Sequence, residues 1–106
     1  MPRFMRVIVF FDLPVTSPKD RRAYTEFRRF LIKDGFDMLQ YSVYSRITRN
    51  HDDACKHIER VRDNLPPEGS VRVLSVTEKQ YASMKIMLGD QTVMEKRLSD
   101  NEIIIL

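Results

Sequence analysis

The stretch "FMRVIVFFDLP" at residues 4–14 decides how this chain reads. β-Branched and aromatic side chains fill it up to Asp12 and Pro14 follows, so residues 4–12 read as a β-strand. Side chains alternate across a strand, which puts Met5, Val7, Val9 and Phe11 on one face and Phe4, Ile8 and Phe10 on the other. Both faces are apolar, so the sheet that holds this strand needs a cover on each side. The run also ends in a carboxylate. Desolvating an unpaired charge costs on the order of several kcal/mol, so Asp12 needs either a hydrogen-bonding role or a charged ligand.

Downstream, "TSPKD" carries a helix start. Thr16 or Ser17 serves as N-cap, Pro18 takes the first helical position, and Asp20 lies in the first turn, where a negative charge favours the helix dipole. The helix is expected from about Pro18 to Asp34, ended by Gly35, with Ala23, Tyr24, Phe27, Phe30 and Leu31 as its apolar stripe. Arg22, Arg29 and Lys33 fall along one flank of that stripe, and Arg21 and Arg28 along the other. "FDMLQ" (36–40) and "SVYSRIT" (42–48) read as strands with a bend near Tyr41 that lacks the usual Gly or Asn. A second helix is expected from an Asn50 cap, with Asp52 and Asp53 in its first turn and a stripe of Ala54, Ile58, Val61 and Leu65, stopped by Pro66 and Pro67. "VRVLSVT" (71–77) is a strand with Val71 and Val73 opposite Leu74 and Val76.

The order βαββαβ is the ferredoxin-like α+β arrangement, with both helices on one face of the sheet. Residues 1–78 form this core. The other face calls for a second copy of the sheet, in a twofold homodimer packed sheet to sheet. Residues 79–106 hold a short helical piece and two strand-like runs, "KIML" (85–88) and "EIIIL" (102–106), expected as extra C-terminal strands exchanged with the partner copy.

The chain has 106 residues, 42% of them hydrophobic, which suits one domain with its own core. A single cysteine, Cys55, excludes an internal disulfide, and no apolar run reaches the roughly 18 residues that a membrane span needs. With nothing resembling a signal peptide, a soluble, cytoplasmic protein is expected. Net charge is only +3, but residues 1–50 hold ten Lys and Arg against five Asp and Glu, while residues 51–106 hold eight against ten. A basic half fits a polyanionic partner and also fits a solvated surface.

Several groups carry candidate chemistry. Two copies of Asp12 meeting across a twofold axis would supply the one or two carboxylates that Mg²⁺ takes beside water and phosphate. Alternatively, Asp12 is a turn residue that accepts backbone N–H bonds ahead of Pro14. Arg21, Arg22, Arg28, Arg29 and Lys33, with Arg46 and Arg49 near the strand that carries Tyr44, suit phosphate contacts or a solvated flank. Tyr41 and Tyr44 suit base stacking or the core. His51, Cys55 and His57 fall short of the four ligands of a structural zinc site. The chain has no catalytic-triad motif, phosphate-binding glycine loop or dinucleotide fingerprint, which removes most enzyme classes.

Together these pieces resemble CRISPR-associated protein 2, the small partner of the CRISPR integrase. The resemblance spans nearly the whole chain and rests on "FFDLP", the basic helix "RRAYTEFRRFLIKDGF", "LQYSVYSR" and "VRVLSVTEKQY", in a pattern similar to members from type II systems. It implies a ferredoxin-like homodimer that bridges two integrase dimers and holds the duplex middle of protospacer DNA on its basic surface during spacer acquisition in antiviral defence. For some members it also implies a metal-dependent endonuclease acting on RNA or duplex DNA, with Asp12 matching the metal-binding aspartate and Mg²⁺ as cofactor. Phe11 stands where many members carry Tyr.

Overall fold

The strand read from residues 4–12 spans Met5–Asp12 (β1) and lies inside a sheet, paired along both edges. In the computed structural model, which describes residues 3–96, it is followed by α1 (Pro18–Lys33), β2 (Asp37–Gln40), β3 (Val43–Thr48), α2 (His51–Asp63), β4 (Ser70–Thr77) and α3 (Glu78–Ala82). The strands form one antiparallel sheet in the order β2-β3-β1-β4, the ferredoxin-like arrangement that the element order implies.

Local chemistry sets the element ends. Ser17 caps α1 by accepting from the Asp20 N–H while the Asp20 carboxylate accepts from the Ser17 N–H, and Pro18 occupies the first turn. At the other end Gly35 adopts φ +91°, and a Cβ there would lie 2.7 Å from the Arg46 guanidinium. Glycine thus serves both the left-handed turn and the passage of Arg46 beside it. The β2–β3 turn is made without glycine by placing Ser42 at φ 61°.

Register assigns the faces. Val9 lies opposite Tyr44 and Val73, and with Val7 and Phe11 it faces the two helices. These three meet Phe27, Leu31, Phe36, Ala54 and Val61 in one buried cluster. Phe11 sits at its aromatic centre, edge-on to Phe27 at 5.3 Å and stacked on Tyr44 at 5.7 Å.

Three expectations change. α2 ends at Asp63 and Leu65 is exposed, because Pro66 disfavours helical backbone in the residue before it. "KIML" forms no strand: residues 85–88 are irregular, and the run stops at Gly89 with φ +103°. Residues 93–96 are helical instead, so 79–96 contributes no strand among the described residues, and "EIIIL" lies outside them.

The second face is also less apolar than the strand pattern suggests, since Arg6 shares it with Ile8, Phe10 and Asp12. Arg6 is 4% exposed. Its Nε and Nη2 donate to Glu78 at 2.9 and 2.5 Å, and its guanidinium carbon lies 4.1 Å from the Tyr81 ring centroid. The Tyr81 hydroxyl donates to Glu95 at 2.7 Å, and Glu95 accepts from the Thr92 N–H. Burial, reinforced by Glu95, pushes the Tyr81 hydroxyl up to about 12. Burial raises the Glu95 carboxyl, but hydrogen bonds from Thr92 and Tyr81 outweigh it and hold that group below its ordinary value. This chain of contacts lays α3 and the segment behind it over part of the second face. Phe4, Phe10, Met38 and Leu74 on or beside the sheet stay open.

Candidate functional site

Asp12 ends β1 opposite Ser70, on the face away from the helices, and is exposed. The side chain before it, Phe11, points the other way into the core, so strand alternation is what turns the carboxylate outward. Gly69, at φ +104°, presses the loop before β4 onto this strand end: a Cβ there would lie 2.7 Å from the Asp12 carbonyl oxygen. No hydrogen bond or ion pair to the Asp12 carboxylate occurs among the described residues, so the turn-residue reading finds no support. Phe10, Tyr41, Ser42, Val43, Ser70 and Arg72 line a shallow, open cleft around it.

Whether this cleft suits a metal depends on its donors. Among the described residues no three His, Cys, Asp or Glu side chains converge on one point, so this chain alone builds no metal cage. One exposed, unpaired carboxylate does suit a hard cation that keeps most of its waters, as Mg²⁺ does. The triad His51, Cys55 and His57 separates in space. His51 Nε2 lies 3.5 Å from Cys55 Sγ at the surface, while His57 turns inward.

The basic residues divide by what they touch. Arg22, Arg29 and Lys33 are exposed on α1 and hold no ion pair among the described residues. Arg21 is exposed and donates to the Val15 and Thr16 carbonyls, each at 3.2 Å. Arg28 donates through Nε to the Tyr44 hydroxyl at 2.8 Å; Tyr44 is buried and serves the core. Arg46 lies on the helix-facing side, where its guanidinium donates to the Asp34 and Ile47 carbonyls. Arg49 is exposed, 3.7 Å from Asp53.

Sequence patterns did not reveal the network around Arg46. His57 sits between two buried carboxylates, with Nδ1 2.7 Å from Asp34 and Nε2 3.5 Å from Asp53, and Arg60 reaches Asp34 at 2.9 Å. The Arg49 backbone N–H, working against burial and helped by Lys56 and His57, holds the Asp53 carboxyl at about 2. The network ties the end of α1 to α2 and leaves Arg46 half-buried.

Comparison with known proteins adds the family. A family model described as CRISPR associated protein Cas2 matches residues 5–84. The chain belongs to the Cas2 family. It is 60% identical over 99 residues to a protein of Acidovorax ebreus (strain TPSY) named CRISPR-associated endoribonuclease Cas2, covering 93% of this chain and 97% of that one. A Treponema denticola protein of the same name is 48% identical over 102 residues, covering 96% of this chain and all of the other. A solved structure titled "Crystal structure of cas2" shares the fold at TM-score 0.51 and 18% identity, covering 85% of this chain and 92% of that one. No helix among the described residues is long and apolar enough to cross a membrane.

Proposed function

We propose that this Cas2-family chain is a CRISPR adaptation scaffold: a homodimer that holds duplex protospacer DNA and bridges integrase dimers during spacer acquisition. The observation that carries this reading is the row of unpaired cations on α1. Arg22, Arg29 and Lys33 lie along one exposed side of the helix, eleven residue steps from first to last. At 1.5 Å per residue the row spans about 16 Å, matching roughly five base-pair steps of a duplex backbone. Such contacts bind phosphate without reading bases. The open apolar residues of the second face supply the surface for the second copy. The test reconstitutes the chain with a CRISPR integrase and measures insertion of a short duplex. Replacing Arg22, Arg29 and Lys33 together by Ala is expected to weaken duplex binding, flatten its salt dependence and reduce insertion. Unchanged binding refutes the scaffold surface.

A second reading is a Mg²⁺-dependent endonuclease using Asp12. It is favoured by the exposed carboxylate without a protein partner and by the endoribonuclease names of the relatives. Bound there, Mg²⁺ would supply Lewis acidity toward a phosphate. Asp12 would hold the ion, and β1 and Gly69 would hold Asp12. Among the described residues no His, Lys or second carboxylate lines the cleft as a general base, so hydrolysis would be slow. Asp12→Asn keeps size and removes charge. It is expected to abolish metal-dependent cleavage while leaving duplex binding and insertion nearly intact; normal cleavage by the variant refutes this reading.

A further inference from the structure

We propose that His51 and Cys55 form an open, two-donor site for Zn²⁺ on the outer side of α2, binding through Nε2 and Sγ. The two residues are four apart, so one turn of helix puts them on the same side. His51 Nε2 stands 3.5 Å from Cys55 Sγ. Zn–N bonds of about 2.0–2.1 Å and a Zn–S bond of about 2.3 Å, set at the tetrahedral angle, put their two ligand atoms about 3.5–3.6 Å apart. The donors therefore already stand at the spacing of neighbouring ligands on one ion. Neither side chain has another hydrogen-bond or ion-pair partner among the described residues. A thiol is a weak hydrogen-bond donor and both residues are exposed, so their mutual contact is readily exchanged for a metal ion.

The fold fixes this spacing and keeps the pair accessible. Asn50 Oδ1 caps α2 by accepting from the Asp53 N–H at 2.8 Å, and the Asp53 carboxylate accepts from the Arg49 N–H at 3.0 Å, which secures the turn that begins with His51. Ala54, His57 and Val61 are buried on the other side of α2. The second copy of the proposed homodimer packs on the far face of the sheet, so the pair stays exposed there as well. Thiolate and imidazole suit borderline and soft cations, whereas Mg²⁺ takes oxygen donors. On binding, Sγ gives its proton to solvent, Nε2 gives its lone pair, and water fills the two remaining positions. No third His, Cys, Asp or Glu converges on the pair among the described residues. Two donors in place of the four of a zinc finger put the dissociation constant at about 1–200 µM.

The test titrates the full chain, kept reduced with a phosphine, with Co²⁺ and follows the thiolate-to-metal charge-transfer absorption in the near ultraviolet. One saturable site per chain is expected, emptied by Zn²⁺ and indifferent to Mg²⁺. Cys55→Ser should abolish the band. His51→Ala should weaken binding by at least about tenfold, since losing even an outer partner of a metal ligand costs about 10–100-fold. Circular dichroism of both variants is expected to match the wild type, because both side chains are exposed. A second measurement needs no variant: Zn²⁺ should shift the His51 ring resonances and leave in place those of His57, which is held between Asp34 and Asp53. The absence of a saturable band below about 1 mM Co²⁺ overturns the proposal. Wild-type affinity in His51→Ala also overturns it, by reducing the site to a bare thiol. Zn²⁺-induced movement of the His57 resonances with His51 unmoved puts the ion elsewhere and overturns it too.

Discussion

Replacing Arg6 by Met should cost this protein about 3–4 kcal/mol of stability. Met keeps an unbranched stem of similar length against Tyr81 but removes the guanidinium, which is 4% exposed and bound twice to Glu78 at 2.9 and 2.5 Å. The Glu78 side chain, 18% exposed, is then left without its counter-charge. Breaking a buried pair on one side costs about 3–5 kcal/mol, and the partial access of Glu78 to water places this case near the lower end. Loss of the cation over the Tyr81 ring, 4.1 Å from its centroid, adds about 1 kcal/mol. Small domains have only about 5–15 kcal/mol in total, so the effect is large. Urea unfolding followed by circular dichroism should show the midpoint falling by roughly 2 M at the usual slope for a domain of this size. Protein concentration must be held constant, because the proposed homodimer would add to apparent stability. The double variant Arg6→Met with Glu78→Gln should recover at least half of the loss, since no unpaired charge remains near the sheet. A single-variant cost below about 1 kcal/mol, or no recovery in the double variant, would refute the argument that this pair anchors α3 on the sheet.

Two further outcomes follow from particular contacts. Gly69→Ala places a Cβ 2.7 Å from the Asp12 carbonyl oxygen at a backbone φ of +104°, so it should cost about 1–3 kcal/mol and shift the amide resonances of Asp12 and Leu13. A variant with wild-type stability and unshifted resonances would show that the loop does not press on β1. Asp53 is held at about 2 against an ordinary 3.8. Its folded-state value is depressed, so its contribution of about 2 kcal/mol is complete above 3.8 and disappears as pH falls toward 2. Asp53→Asn should be less stable at neutral pH and converge with the wild type across that window; urea midpoints that stay parallel in the two proteins down to pH 2 would contradict the assignment.

Much of the fold was legible from residues close together in the chain. The alternation of residues 4–12, the Ser17-Pro18-Asp20 helix start, the Asn50 cap and the glycine after α1 act over a few residues, and each element they mark is present. The one bend without a glycine signal was still placed near Tyr41, because the apolar runs on either side bound it. Where a local pattern failed, another local force outweighed it: Leu65 continued the helical stripe, but Pro66 ended the helix first.

The site was legible only in part. Asp12 stood out because a carboxylate ends an apolar strand, and the alternation of that strand also gave its outward face. Its cleft partners lie far off in sequence, Tyr41 on the hairpin and Arg72 on β4, and only the sheet order brings them together. The basic residues looked alike as letters, yet Arg22, Arg29 and Lys33 stay unpaired in solvent while Arg46 is held by Asp34 and Arg28 by Tyr44. Arg6 and Glu78 are 72 positions apart, and Asp34 and His57 are 23 apart. Periodicity and capping report which elements form, because they act over a turn of helix or a pair of strand residues. Which charge meets which is decided when strand order and helix packing bring distant segments within a few ångströms, and a buried charge persists only where that packing supplies its partner.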